Sequence, residues 1–260
     1  MPLHLLLPFL LILLPNFAVA TMVEEHVKHT HDGVTFESIL VYDDTGTIPR
    51  PAILMVPNWM GVTPQSLEQA KQVAGQDYVV LIADIYGKTV RPKNPDEAQK
   101  AATFLRSNRS LMRARTNNAL DALLATGQKA GVDQKKTAAI GFCFGGGAVL
   151  ELARSGRDIK GVVSFHGNLD TPNPGDAANI KSAVLVLHGA DDPIVPESQI
   201  QAFNTEMKAQ PNLDWQLVSF GGAVHSFTDP SANTPGRSQY DERTSKRAFA
   251  LMRKFFSEIF

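Results

Sequence analysis

The sequence TAAIGFCFGGGAVLEL occupies residues 137–152 and joins an apolar run to a helical pattern through a glycine-rich turn. The run before the turn has the composition of a buried strand, and Ala148–Leu152 continues as a helix. Cys143 lies at the turn, with Gly141 and Gly145 on its two sides. Glycines allow a tight turn and a close approach of helix to strand. The pattern therefore predicts a nucleophile elbow with cysteine as its nucleophile.

The position of Cys143 at the start of a helix favours its ionised form. Unpaired backbone N–H groups and the positive end of the helix dipole stabilise a thiolate there. The alternative is a small buried cysteine before a glycine-rich turn, since free cysteine is often buried. Cys143 is the only cysteine in the chain, so an intramolecular disulfide is excluded.

Short β-branched runs alternate with longer helical patterns on both sides of this turn. Strands are predicted near Thr35–Tyr42, Ala52–Val56, Val79–Ala83, Thr137–Phe142, Gly161–Phe165, Ala183–Leu187 and Trp215–Phe220. Helices are predicted near Ser66–Ala74, Pro95–Arg106, Arg113–Thr126, Gly146–Arg154, Glu197–Lys208 and Gln239–Ile259. The alternation predicts an α/β fold in which a mostly parallel central sheet carries helices on both faces. No repeat or long linker divides residues 21–260, so we expect one domain.

The charge balance argues against some classes of partner. The chain has 25 Lys and Arg against 26 Asp and Glu, and no basic run stands out. Nucleic acids and anionic membranes depend on basic surfaces for much of their affinity. Small neutral or weakly polar molecules remain as expected partners, and the oligomeric state is open.

The first twenty residues have the pattern of an export signal. An apolar block from Leu5 to Leu14 precedes Ala18-Val19-Ala20, small residues that suit cleavage by a signal peptidase. The start carries His4 but no Lys or Arg, which leaves an uncleaved membrane anchor as the alternative. We expect an exported protein, periplasmic or secreted, whose mature chain begins at residue 21.

A cysteine nucleophile needs a base and a carboxylate that orients the base. The predicted strand Ala183–Leu187 is followed by Asp191 and Asp192. We choose Asp192, because Pro193 and Pro196 fix the backbone beyond it, while Asp191 suits a solvated turn. The last predicted strand leads through Gly221 and Gly222 to His225. The chain order Cys143, Asp192, His225 is the order of nucleophile, acid and base in this strand–turn–helix arrangement.

Two other histidines follow predicted strands. His188 precedes Asp192, and His166 precedes both Asp residues, so neither fits the chain order. We interpret both as structural or pocket-lining residues. The oxyanion formed on attack needs backbone N–H donors, for which the residue after the nucleophile, Phe144, and Trp59 after an early strand are the candidates.

The motifs GFCFGG, DPIVP and AVHSF together resemble the dienelactone hydrolase family of the α/β-hydrolase fold. The resemblance extends to PNWMGV at residues 57–62 and to ADIYG at residues 83–87, and so covers nearly all of residues 21–260. It implies hydrolysis of esters or lactones through an acyl-enzyme on Cys143, with neither metal nor organic cofactor. It places the roles of nucleophile, acid and base on Cys143, Asp192 and His225.

Two departures from the family pattern bear on the substrate. Family members that act on dienelactone have a glutamate where this chain has Asn58, which cannot accept a proton. They also hold the substrate carboxylate with arginines, one of them shortly after the AVHSF segment, where this chain has Thr228, Asp229 and Pro230. We therefore expect a neutral ester or lactone. The residues expected to line its pocket are Asn58, Met60, Tyr86, Phe142, His166 and Phe227.

The histidines near the start of the mature chain do not predict a metal site. His29 and His31 would share one face of a strand leading to a hairpin at Asp32-Gly33, but His26 would point away. The expected function is an exported hydrolase of small-molecule esters. The alternatives are a non-catalytic binding protein on the same fold and a thiol redox protein, which the lack of a second cysteine disfavours.

Overall fold

The computed structural model describes residues 21–45 and 49–260. The predicted leader, residues 1–20, lies outside the described residues. The strands are β1 (Met22–His31), β2 (Val34–Asp43), β3 (Arg50–Val56), β4 (Val79–Ile82), β5 (Val132–Phe142), β6 (Gly161–Phe165), β7 (Ala183–Gly189), β8 (Trp215–Phe220), β9 (Asn233–Thr234) and β10 (Ser238–Gln239). The helices are α1 (Pro64–Ala74), α2 (Pro95–Arg106), α3 (Arg109–Thr126), α4 (Phe144–Arg154), α5 (Glu197–Lys208) and α6 (Glu242–Ile259), with short 3-10 helices at Gly127–Ala130 and Pro174–Asn179.

The central sheet has eight strands in the order β1-β2-β4-β3-β5-β6-β7-β8. Strands β3 to β8 run parallel, whereas β2 pairs antiparallel with both β1 and β4. Since β3 lies between β4 and β5, the segments that follow these three strands emerge side by side at one edge of the sheet. This edge receives the loops at residues 57–61 and 84–87, and Cys143.

Helices cover both faces of the sheet, which confirms the predicted architecture. One apolar layer joins the sheet to α2, α3, α4 and α5, and the other joins it to α1 and α6. Met252 and Phe256 of α6 are fully buried, as the spacing of apolar residues in the last helix predicts. No helix in the described part of the chain is long and apolar enough to cross a bilayer.

Several helix boundaries differ from the predicted ones, and capping side chains account for two of them. Helix α3 begins at Arg109 because Asn108 Oδ1 accepts a hydrogen bond from the Leu111 N–H. Helix α6 begins at Glu242, after Asp241 caps the Thr244 N–H at 2.6 Å. Helix α4 begins at Phe144, directly after the cysteine.

The first strand, β1, was predicted only conditionally, as one arm of a hairpin. It forms a regular antiparallel ladder with β2 around a turn at Asp32-Gly33. On β1, His29 Nδ1 is hydrogen-bonded to Asn118 Oδ1 at 2.6 Å and Nε2 to Ser38 Oγ at 3.0 Å, and the ring stacks on Phe36. Its two ring nitrogens are therefore engaged within the fold.

Candidate active site

Cys143 lies in a strained turn between β5 and α4. Its φ of 52° is in the left-handed region, which non-glycine residues rarely adopt. A Cβ on Gly141 would lie 2.0 Å from the Gly145 carbonyl oxygen, and one on Gly145 would lie 2.1 Å from the Val56 oxygen. Only glycine fits at both positions, so the turn has the geometry of a nucleophile elbow.

His225 and Asp192 meet next to this turn. His225 Nδ1 and Asp192 Oδ2 are 2.7 Å apart, and both residues are buried. The other carboxylate oxygen, Asp192 Oδ1, accepts from the Ile194 N–H at 2.8 Å and from the Val195 N–H at 3.3 Å. Asp191, the other candidate acid, is exposed to solvent. These contacts fix the orientation of the carboxylate toward the imidazole.

The thiol of Cys143 and the ring of His225 shift each other's ionisation. Burial opposes ionisation of Cys143, but the charge of His225, a hydrogen bond with it and the Phe144 N–H together lower the pKa of the thiol. Burial likewise opposes charge on His225, but the Cys143 thiolate and the Asp192 carboxylate raise its pKa to about 10. His225 Nε2 has no hydrogen bond of regular geometry in the described residues. The opposite shifts favour a thiolate–imidazolium pair.

Arg106, at the end of α2, is a site residue that the sequence analysis missed. Its guanidinium carbon lies 6.0 Å from the centre of the Phe144 ring, and its charge also lowers the pKa of Cys143. Its Nε is buried and has no hydrogen-bond partner among the described residues. No sequence motif marks this arginine, because only the tertiary structure brings the end of α2 next to Phe144 and the cysteine.

His166 is buried beside the elbow and has two partners. Its Nδ1 accepts a hydrogen bond from the Cys143 N–H at 3.2 Å, so Nε2 carries the proton and donates to Thr228 Oγ1 at 2.8 Å. The Cys143 N–H is shared with the Phe165 oxygen at 3.0 Å. Burial and the charge of His225 keep the pKa of His166 well below its usual value, so the ring is neutral.

His188 differs from the other two histidines of the site. It is 1% exposed, and neither ring nitrogen has a hydrogen-bond partner within the described chain. Burial lowers its pKa, although the carboxylate of Asp192 acts in the opposite direction. His188 is therefore a neutral ring packed near the acid.

The loop at residues 58–61 carries one of the two candidate oxyanion donors. Asn58 Oδ1 accepts from the Met60 N–H at 3.0 Å, and Asn58 O accepts from the Gly61 N–H at 2.9 Å. Within the described residues, the Trp59 N–H donates to no acceptor. The Phe144 N–H, at the first position of α4, lies outside the helical ladder and acts on the Cys143 sulfur.

The residues expected to line a pocket do not surround one common space. Asn58, Phe142 and His166 border a gap of about 10 Å³, enough for about one water. Tyr86 borders a cavity of about 570 Å³, whose walls include the exposed side chains of Val90 and Phe104 but not Cys143. Met60 is half-buried in the loop after β3.

One of the predicted pocket residues is in the core. Phe227 has no exposed surface and packs between the rings of His166 and Phe220. Its side chain lies in the apolar layer beside His166, and a role for Phe227 in lining a substrate pocket stays a prediction. Its neighbour Ser226, with a φ of 58°, marks the turn that brings His225 back to the cysteine.

Comparison with known proteins agrees with this geometry. The sequence model of the dienelactone hydrolase family matches residues 36–260. A carboxymethylenebutenolidase homologue of Mus musculus is 23% identical over 207 residues, which are 78% of this chain and 82% of the mouse protein. A solved structure named m3DLH is 35% identical with a TM-score of 0.86, over 92% of this chain and 99% of that one.

A second solved structure is similar over the same extent. It is a dienelactone hydrolase-like promiscuous phosphotriesterase from metagenomic libraries, 36% identical, with a TM-score of 0.84 over 92% of this chain and 99% of its own. The family match spans most of the chain, and the sheet, elbow and strand order agree with it. The chain therefore belongs to the dienelactone hydrolase family and is an ester or lactone hydrolase of the α/β-hydrolase fold.

Proposed function

We propose that this hydrolase cleaves small esters or lactones through a thioester on Cys143, with His225 as base and Asp192 as the residue that orients it. The observation that carries the proposal is the 2.7 Å contact between His225 and Asp192 beside a cysteine held at a φ of 52°. The opposite pKa shifts of Cys143 and His225 support it, because they favour the nucleophilic thiolate at neutral pH.

The proposed first half-reaction forms the acyl-enzyme. The Cys143 thiolate attacks the carbonyl carbon, a C–S bond forms, and the carbonyl oxygen becomes an oxyanion between the N–H groups of Trp59 and Phe144. The tetrahedral intermediate collapses with cleavage of the C–O bond. The leaving alkoxide takes the proton from the His225 imidazolium, and Asp192 then hydrogen-bonds the neutral ring.

The second half-reaction releases the acid. His225 takes a proton from a water molecule, the resulting hydroxide attacks the thioester, and the C–S bond breaks to regenerate the thiolate. His225 remains as the imidazolium, so the starting ion pair is restored. These steps use only side chains, backbone N–H groups and water.

We propose that the cavity beside Tyr86 receives the apolar part of the substrate. Its volume of about 570 Å³ lies in the usual range of ligand pockets, about 300–1,000 Å³. Val90 and Phe104 on its walls are 41% and 58% exposed, so a ligand there would cover apolar surface that now faces water. Charged side chains also border this cavity, namely Arg91, Glu97, Lys100 and Arg115. An apolar acyl or alcohol group of a neutral ester would contact the side formed by Val90 and Phe104.

Reaction with short-chain p-nitrophenyl esters tests the proposal. We expect turnover, together with an increase in intact mass equal to one acyl group, and loss of both in Cys143→Ala. The adduct should map to Cys143 after digestion. Turnover that survives in Cys143→Ala would refute the cysteine mechanism, and tight binding without adduct or turnover would support a non-catalytic binding protein.

Phosphotriesters are a second candidate substrate class. The observation in their favour is the 36% identity, over nearly the whole compared chain, to a protein described as a promiscuous phosphotriesterase. The same thiolate would attack phosphorus in place of carbon. Release of p-nitrophenol from a dialkyl p-nitrophenyl phosphate, compared with the carboxylic ester, would rank the two classes.

Export remains part of the proposal, because residues 1–20 lie outside the described structure. The apolar block and the Ala18-Val19-Ala20 segment support it. Intact mass of the protein secreted or released from the periplasm should correspond to a chain that begins at Thr21. A full-length mass in a membrane fraction would indicate an uncleaved anchor.

A further inference from the structure

The loop at residues 58–61, here called the oxyanion loop, is held by three hydrogen bonds. Two are internal, from the Met60 and Gly61 N–H groups to the side-chain and backbone oxygens of Asn58. The third comes from another part of the chain: the Tyr86 hydroxyl donates to the Trp59 carbonyl oxygen at 3.0 Å. The Trp59 N–H has no acceptor in the described chain.

Tyr86 is itself firmly placed. Its N–H and that of Gly87 donate to Asp84 Oδ1 at 3.1 and 3.0 Å, and Arg115 Nη1 donates to its carbonyl oxygen at 2.9 Å. Its ring packs against Phe144, 5.4 Å between centres. The Tyr86 hydroxyl therefore reaches the oxyanion loop from a fixed support.

Contacts around the oxyanion loop restrict it further. Gly61 has a φ of 75°, and a Cβ there would meet the Tyr86 ring at 3.3 Å. Burial raises the pKa of Tyr86, so its hydroxyl keeps its proton and stays a donor across the working pH range. In this arrangement Asn58 acts through its side-chain carbonyl oxygen, which accepts a hydrogen bond from the Met60 N–H. This task does not require a side chain that gains or loses a proton.

We propose that Tyr86 and Asn58 are positioning residues that hold the oxyanion loop so that the Trp59 N–H can bind the oxyanion. The inference rests on the proposed function, since it assigns a task within the same reaction. It also gives Asn58 a role of its own: its side chain shapes the donor loop and does not act on the thiol. Neither residue touches the reacting atoms.

The test separates a reaction that forms an oxyanion from one that does not. Acylation of Cys143 by a p-nitrophenyl ester passes through an oxyanion, whereas alkylation by iodoacetamide is a displacement at a saturated carbon. Both need the thiolate and access to it. A change in acylation alone therefore reports on the oxyanion donors.

We expect Tyr86→Phe to lower the acylation rate constant by roughly 10- to 100-fold, less than or equal to the loss of a whole donor. The alkylation rate should stay within about twofold, because Phe keeps the ring and removes only the hydroxyl. Tyr78→Phe is the matched control, since Tyr78 packs against Phe256 and Phe260 at a distance from the site. It should leave both rates unchanged.

A second pair of variants keeps the inference testable if Tyr86→Phe folds poorly. Asn58→Ala should lower acylation, and Asn58→Asp should restore most of it, because a carboxylate also accepts from the Met60 N–H. Equal losses of acylation and alkylation in Tyr86→Phe or Asn58→Ala would show that these residues act through the thiol and would overturn the inference. So would unchanged acylation.

The two proposals fail in different ways. A wild-type protein that gives neither adduct nor turnover refutes the proposed function, and the inference with it. If the wild-type protein is acylated and the Tyr86→Phe and Asn58→Ala variants are acylated at the same rate, the inference is refuted and the proposed function stands.

Discussion

Two buried polar clusters lie at the two ends of helix α4 and differ in how their polar atoms are paired. At its C-terminal end, Arg154 donates to Glu206 at 2.7 and 2.8 Å, to Glu151 at 3.0 Å and to the Leu169 oxygen at 3.0 Å. Glu151 also accepts from Arg113 at 2.7 Å. In this ion cluster, the three nitrogens of the Arg154 guanidinium and all four carboxylate oxygens of Glu151 and Glu206 have a partner, although Arg154 is only 1% exposed.

At the N-terminal end of α4, the cluster around Cys143 leaves polar atoms without partners. Arg106 Nε and both nitrogens of His188 have no hydrogen-bond partner among the described residues, and His225 Nε2 has none of regular geometry. Cys143, His166 and Ser226 all have a positive φ, a conformation that costs about 1–3 kcal/mol each. The charges of the ion cluster are paired, whereas the cysteine cluster keeps groups strained and unpaired, which is the arrangement that the proposed reaction at Cys143 requires.

The largest effect should come from removing the charge that supports His225. Asp192→Asn keeps the shape of the side chain but cannot balance an imidazolium, so kcat/KM should fall by about 10⁴-fold. The melting temperature should change little. Asp191→Asn, one residue away and exposed, is the control and should retain full activity. A loss of less than tenfold in Asp192→Asn would remove Asp192 from the mechanism.

Breaking the ion cluster should affect stability more than chemistry. Arg154→Leu leaves the carboxylate of Glu206 buried without its charged partner and that of Glu151 with Arg113 alone, which should cost about 3–5 kcal/mol of unfolding free energy. Denaturant unfolding would measure it. Arg157→Leu, which breaks an exposed pair with Asp121, should cost about 1 kcal/mol or less. Similar losses of unfolding free energy in Arg154→Leu and Arg157→Leu would show that the buried ion cluster is no more important for stability than an exposed ion pair.

The pH dependence should report the ion pair between Cys143 and His225. Because the pKa of the thiol is lowered, alkylation by iodoacetamide should stay fast below the pH at which a free cysteine slows. The rate should fall only as the pH drops through this lowered pKa. On the basic side, ester turnover should decline near pH 10, where His225 loses its proton.

The Asp192→Asn variant sharpens this pH prediction. Without the carboxylate the imidazolium is less stable, so the pKa of His225 should fall and that of Cys143 should rise. The midpoint of the alkylation profile should therefore move to higher pH. An unchanged midpoint would show that Asp192 does not support the charge on His225.

The smallest effect is expected at His188. Its nitrogens make no hydrogen bond in the described structure, so His188→Leu loses none and keeps a similar volume. The unfolding free energy should change by less than about 1 kcal/mol, in either direction, and the alkylation rate should be retained. A tenfold fall in ester turnover with an unchanged fold would instead show that His188 takes part in the reaction.

Much of the fold was predictable from the local pattern of apolar and turn residues. Helices α2 and α5 begin and end at the predicted residues, and β6 and β8 match theirs. Strand β1 was predicted only conditionally, because charged residues interrupt its alternation on an exposed edge of the sheet. The start of α3 was predicted four residues late, because its apolar stripe is weak near the cap at Asn108.

The candidate site was predictable in part, because residues that directly follow parallel strands reach the same edge of the sheet. Cys143, Asp192 and His225 each follow a strand, and the structure brings His225 within 2.7 Å of Asp192 and close to Cys143. Their roles in catalysis stay a prediction. Phe227 also follows a strand, yet its side chain turns into the core. Position along the chain indicates which edge of the sheet a residue reaches, but not which way its side chain points.

The sequence by itself determined the class of fold, the cysteine elbow and the chain order of the three candidate catalytic residues, because these depend on neighbours within a few positions. Only the tertiary structure decided that Tyr86 holds Trp59, that Arg106 lies by the cysteine and that His188 is left without partners. Those contacts join segments far apart in the chain. They follow from the placement of β3 between β4 and β5 and from the position of the end of α2 beside Phe144, which no local pattern encodes.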